Sequence, residues 1–187
     1  MLFSLCFSER AVSLVNIFIS DPSPHLSAIV LDDRRRNKMI VESCQMLSTS
    51  LILSGAPTSA LPISKSGQPY KVSHISHPAT RWVQSSQDNY EWLANHTRSM
   101  LDAYRSHMGR DHACDRVLEI LRKGIVHIQS NGGLTPFVNC ATHHKHIKDV
   151  HQAYQLELMK KWNEHKEGYP PKWNGNSTFP GFPNTKV

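Results

Sequence analysis

The chain has 187 residues, a formal net charge of +6 and a pI near 9.3, with 39% hydrophobic and 19% charged residues. That length accommodates one domain with a sizeable core, and the composition excludes global disorder. The absence of any run near the ~20 apolar residues of a membrane span, and of a basic segment ahead of MLFSLCFSERAVSL, predicts a soluble cytoplasmic protein without a signal peptide.

Residues 14–19 (LVNIFI) form a short apolar run rich in β-branched side chains and bounded by Ser20, Asp21, Pro22, Ser23 and Pro24, which predicts a buried strand. Ser23 then offers an N-cap and Pro24 a first-turn proline for a short helix over 25–31. Asp32 or Asp33 opens a longer helix over 34–53, stopped by Gly55, Ala56 and Pro57. Residues 55–76, punctuated by Pro57, Pro62, Gly67 and Pro69, read as a long loop. Trp82, Val83, Tyr90, Leu93, Met100, Leu101 and Tyr104 recur at helical spacing from Pro78 to Gly109, predicting one long, kinked helix. Further helices are expected over 111–130, closed by Asn131, Gly132 and Gly133, and over 146–165. Residues 134–138 read as extended. After Gly168 the prolines predict a coil tail that straps the surface through Trp173, Phe179 and Phe182. The expected fold is therefore mainly α, a single compact helical domain over 15–167 with one or two short strands. Residues 168–187 are expected to form a Pro/Gly-rich tail.

The 34–53 helix carries the most informative pattern. At ~100° per residue, Ile40, Cys44, Leu47 and Leu51 share a core-facing side, while Lys38, Glu42, Gln45 and Thr49 line up on the opposite one. Met39 and Met46 flank this polar stripe on one side and Val41 on the other. A polar line with apolar borders suggests a helix buried on more than one side, its stripe facing a cleft. An ordinary surface pair of Lys38 with Glu42 is the alternative reading. In the cleft reading Glu42 is the general acid or base, Lys38 a charge clamp or nucleophile and Gln45 an orienting donor. Asp33 and His77 are supporting catalytic groups. Arg34 and Arg35, at a helix N-terminus, suit phosphate, and the basic charge favours DNA or a nucleotide as partner.

Asn89, Trp92 and His96 could form a stacking surface for a base, with Trp82 and Tyr90 in the core. Four cysteines without a CxxC pair indicate neither a disulfide framework nor a thiolate zinc site. Twelve histidines include His143, His144 and His146, which with His77 would build a metal-dependent nuclease; solvated histidines explain the cluster equally, and the leading reading needs no metal and no cofactor.

Asn16 to Phe18, the segment from Leu31 to Thr49 (LDDRRRNKMIVESCQMLST), His77-Pro78 with Trp82, Asn89-Tyr90 with Trp92-Leu93, and Leu134 to Phe137 together resemble a family of small proteins common in tailed-phage genomes. The resemblance spans about residues 15–173, and it implies that residues 1–14 are an N-terminal extension or a misplaced start, with Val15 at the position where family members begin. Some members carry a label likening them to phage pyrimidine-dimer DNA glycosylases. Those are compact helical enzymes that attack the damaged nucleotide with an N-terminal amine, assisted by a glutamate, through a Schiff base. The resemblance implies a phage-type DNA- or nucleotide-processing enzyme acting in the host cytoplasm, with Glu42 in the glutamate's role. The start Met1-Leu2-Phe3 departs from the small N-terminal nucleophile, so Lys38, or the amine of Asn16 after processing, would take its place. A phage accessory protein that binds nucleic acid or a host factor without catalysis is the rival expectation.

Overall fold

The structure, a computed structural model, describes residues 16–64, 67–130, 132–165 and 168–183. The fold is mainly helical, as expected. Six α-helices follow in order among these residues: α1 (Pro24–Ile29), α2 (Asp33–Leu53), α3 (Pro78–Gln84), α4 (Gln87–Met108), α5 (Cys114–Lys123) and α6 (Val150–Asn163). No helix among the described residues is long and apolar enough to cross a membrane. The expected closing residue Asn131, like the 1–14 extension, lies outside the described residues.

Local chemistry sets most helix ends. Ser23 Oγ accepts the Leu26 N–H, and Asp32 caps α2 by accepting the Arg35 N–H. The expected 78–109 helix is two helices, because Ser86 turns extended and accepts the Asp88 N–H, restarting the helix as α4. A side-chain acceptor that satisfies a first-turn amide makes such a restart favourable. The 111–130 helix is also shorter than expected. It leaves α-geometry at Gly124 and finishes as a 3-10 turn. Leu118 and Leu121 face inward, whereas Ile120 is exposed.

α2 and α4 pack against each other and organise the interior, with α1 and α3 against one or both and α5 against both. The inward faces of Ile40, Cys44, Leu47 and Leu51 meet Tyr90, Leu93, Met100 and Leu101 in one core cluster.

The buried strand expected over 14–19 is not formed by its described residues. Ile17, Phe18 and Ile19 are buried, but their backbone is served by α6 rather than by a β-ladder. His151 Nδ1 donates to the Ile19 carbonyl (3.0 Å) and Gln155 Nε2 to the Ser20 carbonyl (2.9 Å). Tyr154 Oη donates to Asn16 Oδ1 at 3.2 Å. An apolar run needs burial and partners for its polar groups, and helix side chains meet both requirements here. The only β-bridges outside strands join Ile63 with Pro69 and Trp173 with Asn176 among the described residues.

The tail does strap the surface. Trp173 and Phe179 surround the Trp162 ring of α6, with centroids 5.1 and 4.6 Å away, and Phe182 stacks on it at 5.9 Å. The Trp173 indole donates to the Val30 carbonyl at 2.8 Å.

Candidate functional site

The C-terminal end of the polar stripe of α2 is covered by a loop of the chain. Thr49 is fully buried, and its hydroxyl both accepts the Ser73 N–H (3.1 Å) and donates to the Ser73 carbonyl (3.3 Å). This pins the 73–77 turn onto the helix. Within the turn the His77 N–H donates to the His74 carbonyl, and His74 adopts a left-handed φ of 53°, a conformation that non-glycine residues hold only when their surroundings impose it.

Glu42 is 7% exposed, one turn from Lys38. Its Oε1 lies 3.4 Å from Lys38 Nζ, while its buried Oε2 has no hydrogen-bond partner. Burial pushes the Glu42 carboxyl above its ordinary value; Lys38, the Asn16 backbone N–H and the His74 ring oppose the shift. A carboxyl that is partly desolvated, with one oxygen uncommitted, is suited to trade a proton. Lys38 stands at the mouth of the site with 54% of its side chain exposed. Gln45 is half-buried beside them on the helix.

His77 Nδ1 accepts the Ala79 N–H at 3.2 Å and so caps α3. In the neutral ring that bond places the proton on Nε2. Burial lowers the His77 pKa, with His74 and Lys145 adding to the effect. His74 Nδ1 is buried without a partner. The two histidines, Glu42 and Lys38 therefore form one electrostatically connected group, to which the Asn16 backbone and Lys145 belong. Lys145 carried no periodic or motif signal, and the approach of Asn16 and His74 to Glu42 is a tertiary event.

Beside this group runs a groove of about 1070 Å³, lined by Asn16, Arg34, Arg35, Lys38, Lys161 and Lys172 among others. Arg34 is exposed there. Arg35 is largely committed: it pairs with Asp32 at 2.7 Å and donates to the Lys161 carbonyl at 2.9 Å.

Other expected site residues are committed to structural contacts. Asp33 accepts the backbone N–H groups of Asn174 and Gly175 at 2.8 and 2.9 Å, so its carboxylate fastens the tail to the start of α2. Asn89, Trp92 and His96 are buried and offer no face to a base. Asn89 Nδ2 serves the Trp82 carbonyl, Ser85 and Thr135, and its Oδ1 accepts the Thr135 N–H. The Trp92 indole donates to the Pro22 carbonyl and stacks on His96 at 5.2 Å. Their helical spacing is that of a core face, the arrangement already expected for Trp82 and Tyr90.

The histidines of the metal-nuclease reading are engaged with a carboxylate. Among the described residues no group of three or more His, Cys, Asp or Glu side chains could hold a metal ion. His143 and His144 instead place Nδ1 3.2 and 3.1 Å from the carboxylate of Glu157, which is fully buried and also contacts Lys161 at 3.2 Å. Burial opposes the shift, but hydrogen bonds from the His143 N–H, His144, Lys161 and the His143 ring hold Glu157 down at about 2.

No protein-family model, no curated protein and no solved structure matches the chain.

Proposed function

We propose that this protein is a DNA- or nucleotide-processing enzyme, glycosylase-like in chemistry, with Glu42 as its general acid or base. The observation that carries the reading is the Glu42 carboxyl: buried, shifted toward its protonated form, and left with one partnerless oxygen. A purely structural carboxylate is ordinarily satisfied at both oxygens, as Glu157 is. The resemblance to the phage family supports the same assignment.

In this reading Glu42 delivers a proton as the bond between base and sugar breaks, or accepts one from the attacking group. Lys38 and His74 bias its charge. The groove cations, Arg34 first among them, hold the phosphate backbone. Two amines compete for the nucleophile's role in the imine version. Lys38 Nζ is near but exposed, which favours a charge clamp. The Asn16 backbone nitrogen lies against Glu42, so an α-amine at that position would be directly assisted by the carboxyl.

Borohydride trapping on a duplex carrying an abasic site or a pyrimidine dimer tests this, using the full chain, Lys38→Ala and a chain starting at Asn16. A covalent adduct that requires Glu42 supports the reading, and the variant that abolishes or creates it identifies the amine. Absence of both adduct and base release in every form, with duplex binding intact, leaves the second reading: a non-catalytic nucleic-acid-binding accessory protein. The groove lined by Arg34, Lys38, Lys161 and Lys172 favours that alternative.

A further inference from the structure

Among the described residues Tyr169 is the one Phe, Tyr or Trp that is exposed, at 64%. It lines the basic groove together with Arg34 and Lys38 of α2, Lys161 of α6 and Lys172 of the tail. The other such ring there, Phe18, is 5% exposed and belongs to the core. The segment that carries Tyr169 is stiff and anchored. Pro170 and Pro171 have fixed φ, and Pro170 restricts Tyr169 to extended backbone. Just beyond them the Lys172 carbonyl accepts the Asp33 N–H at 2.8 Å, and the Trp173 indole donates to the Val30 carbonyl at 2.8 Å. Asp33 then holds the N–H groups of Asn174 and Gly175. A ring presented in this way has little freedom left to lose when a flat ligand settles on it.

The groove also has positive charge to spare. Its acids are engaged: Asp32 with Arg35 and the Trp162 indole, Asp33 with Arg36 and the tail amides, Glu164 with Lys160. Arg34 and Lys172 make no ion pair among the described residues. Uncommitted cations and an open π-face thus share one groove. A nucleic-acid strand carries both complements, phosphate and flat base, in every unit. The volume of about 1070 Å³ exceeds the ~300–1,000 Å³ of small-ligand sites, which suits a strand better than a lone nucleotide. A base inside a duplex gives both faces to its neighbours, so the Tyr169 ring can meet only an unpaired or extruded base.

We propose that Tyr169 is the stacking platform for an unpaired base of a DNA strand whose phosphates lie on Arg34 and Lys172, an assignment that rests on the nucleic-acid reading of the groove. Tyr169 takes the place of the stacking surface expected from Asn89, Trp92 and His96, which are buried in the core. The cations hold the strand by its backbone, and the ring selects for a base that is out of its stack.

Full-length wild type, Tyr169→Ala, Tyr169→Phe and Lys172→Ala are titrated by fluorescence anisotropy against three labelled probes of equal length. These are a single-stranded oligothymidylate, the same strand with abasic units in place of the bases, and a fully paired duplex. Tyr169→Ala should bind the oligothymidylate about 10-fold more weakly with its salt dependence unchanged, and change by less than about twofold on the other two probes. Tyr169→Phe should keep wild-type affinity, since stacking uses the ring and not the hydroxyl. Lys172→Ala should instead lower the slope of log affinity against log salt on every probe, by about 0.7 on single strands and 0.9 on the duplex. Full affinity for the oligothymidylate in Tyr169→Ala, an equal loss on all three probes, or wild-type binding to the duplex alone overturns the stacking role and leaves the nucleic-acid reading standing. Wild-type protein that binds none of the probes overturns both.

Discussion

Thr49 and Ser73 are joined by two hydrogen bonds through one hydroxyl, 3.1 and 3.3 Å long, across a separation of 24 residues. This contact sets the distance between the α2 stripe and the histidine turn. Thr49→Val preserves the shape and removes both bonds. The loss of stability should be about 1–3 kcal/mol, read by urea unfolding. The His77 imidazole, followed by NMR titration, should move up toward its ordinary value as the turn loosens and its ring is wetted. An unchanged His77 titration would show that the turn is held by other contacts.

Glu42→Gln should separate function from folding. If Glu42 is the acid or base, base release should fall by about 100-fold or more while duplex affinity changes little. The stability effect has a definite sign. A carboxyl raised by burial binds its proton more tightly folded than unfolded, so the contribution of Glu42 itself is fully present below the unfolded value and declines as pH rises through the window above 4.5. Glu42→Gln should abolish that decline. Equal pH profiles for the two proteins would argue against the raised carboxyl.

Glu157 predicts the opposite slope. Its folded pKa of about 2 lies below the ordinary 4.5, so its contribution is present above 4.5 and is lost as pH falls toward 2. The magnitude is about 3 kcal/mol by proton linkage. Glu157→Gln should unfold more readily at pH 7 and lose less stability than wild type between pH 4.5 and 2. Circular dichroism melts across that range provide the measurement.

His96 is buried in α4 with neither ring nitrogen completing a hydrogen bond, and burial holds its pKa at about 4, against a weak opposing effect of the Ser27 backbone. The unfolded chain binds this proton more readily, so stability is lost as pH falls from about 6.5 toward 4. His96→Phe should be near neutral at pH 7 and more stable than wild type by about 2 kcal/mol at pH 5. Nucleic-acid binding should be unaffected, since the ring is inaccessible.

Charge reversal at Arg34 and Lys172 tests the groove. Duplex affinity should fall, and the slope of log affinity against log salt should decrease by about one for each phosphate contact removed. Arg35→Glu should instead destabilise the fold, because its guanidinium ties the cap of α2 to α6 through Asp32 and the Lys161 carbonyl.

The sequence by itself determined the helical class, the caps at Ser23 and Asp32, and the two-sided burial of α2. These follow from periodicity and from side chains acting within a few residues of one another. It also singled out Glu42, Lys38 and His77. Tertiary structure decided the rest. Whether residues 16–19 pair as a strand depended on α6, whose His151 and Gln155 supplied the hydrogen bonds a ladder would have supplied. Whether Asn89, Trp92 and His96 formed a stacking surface or a core depended on Pro22, Thr135 and Phe137, which cover or bond them from distant segments. Asp33 became a clasp because the tail returned two amides to it. Lys38 and Glu42 were legible as an i,i+4 pair. The partnerless oxygen of Glu42 and its neighbours Asn16 and His74 were not, because local spacing carries no information about which remote group a side chain will meet.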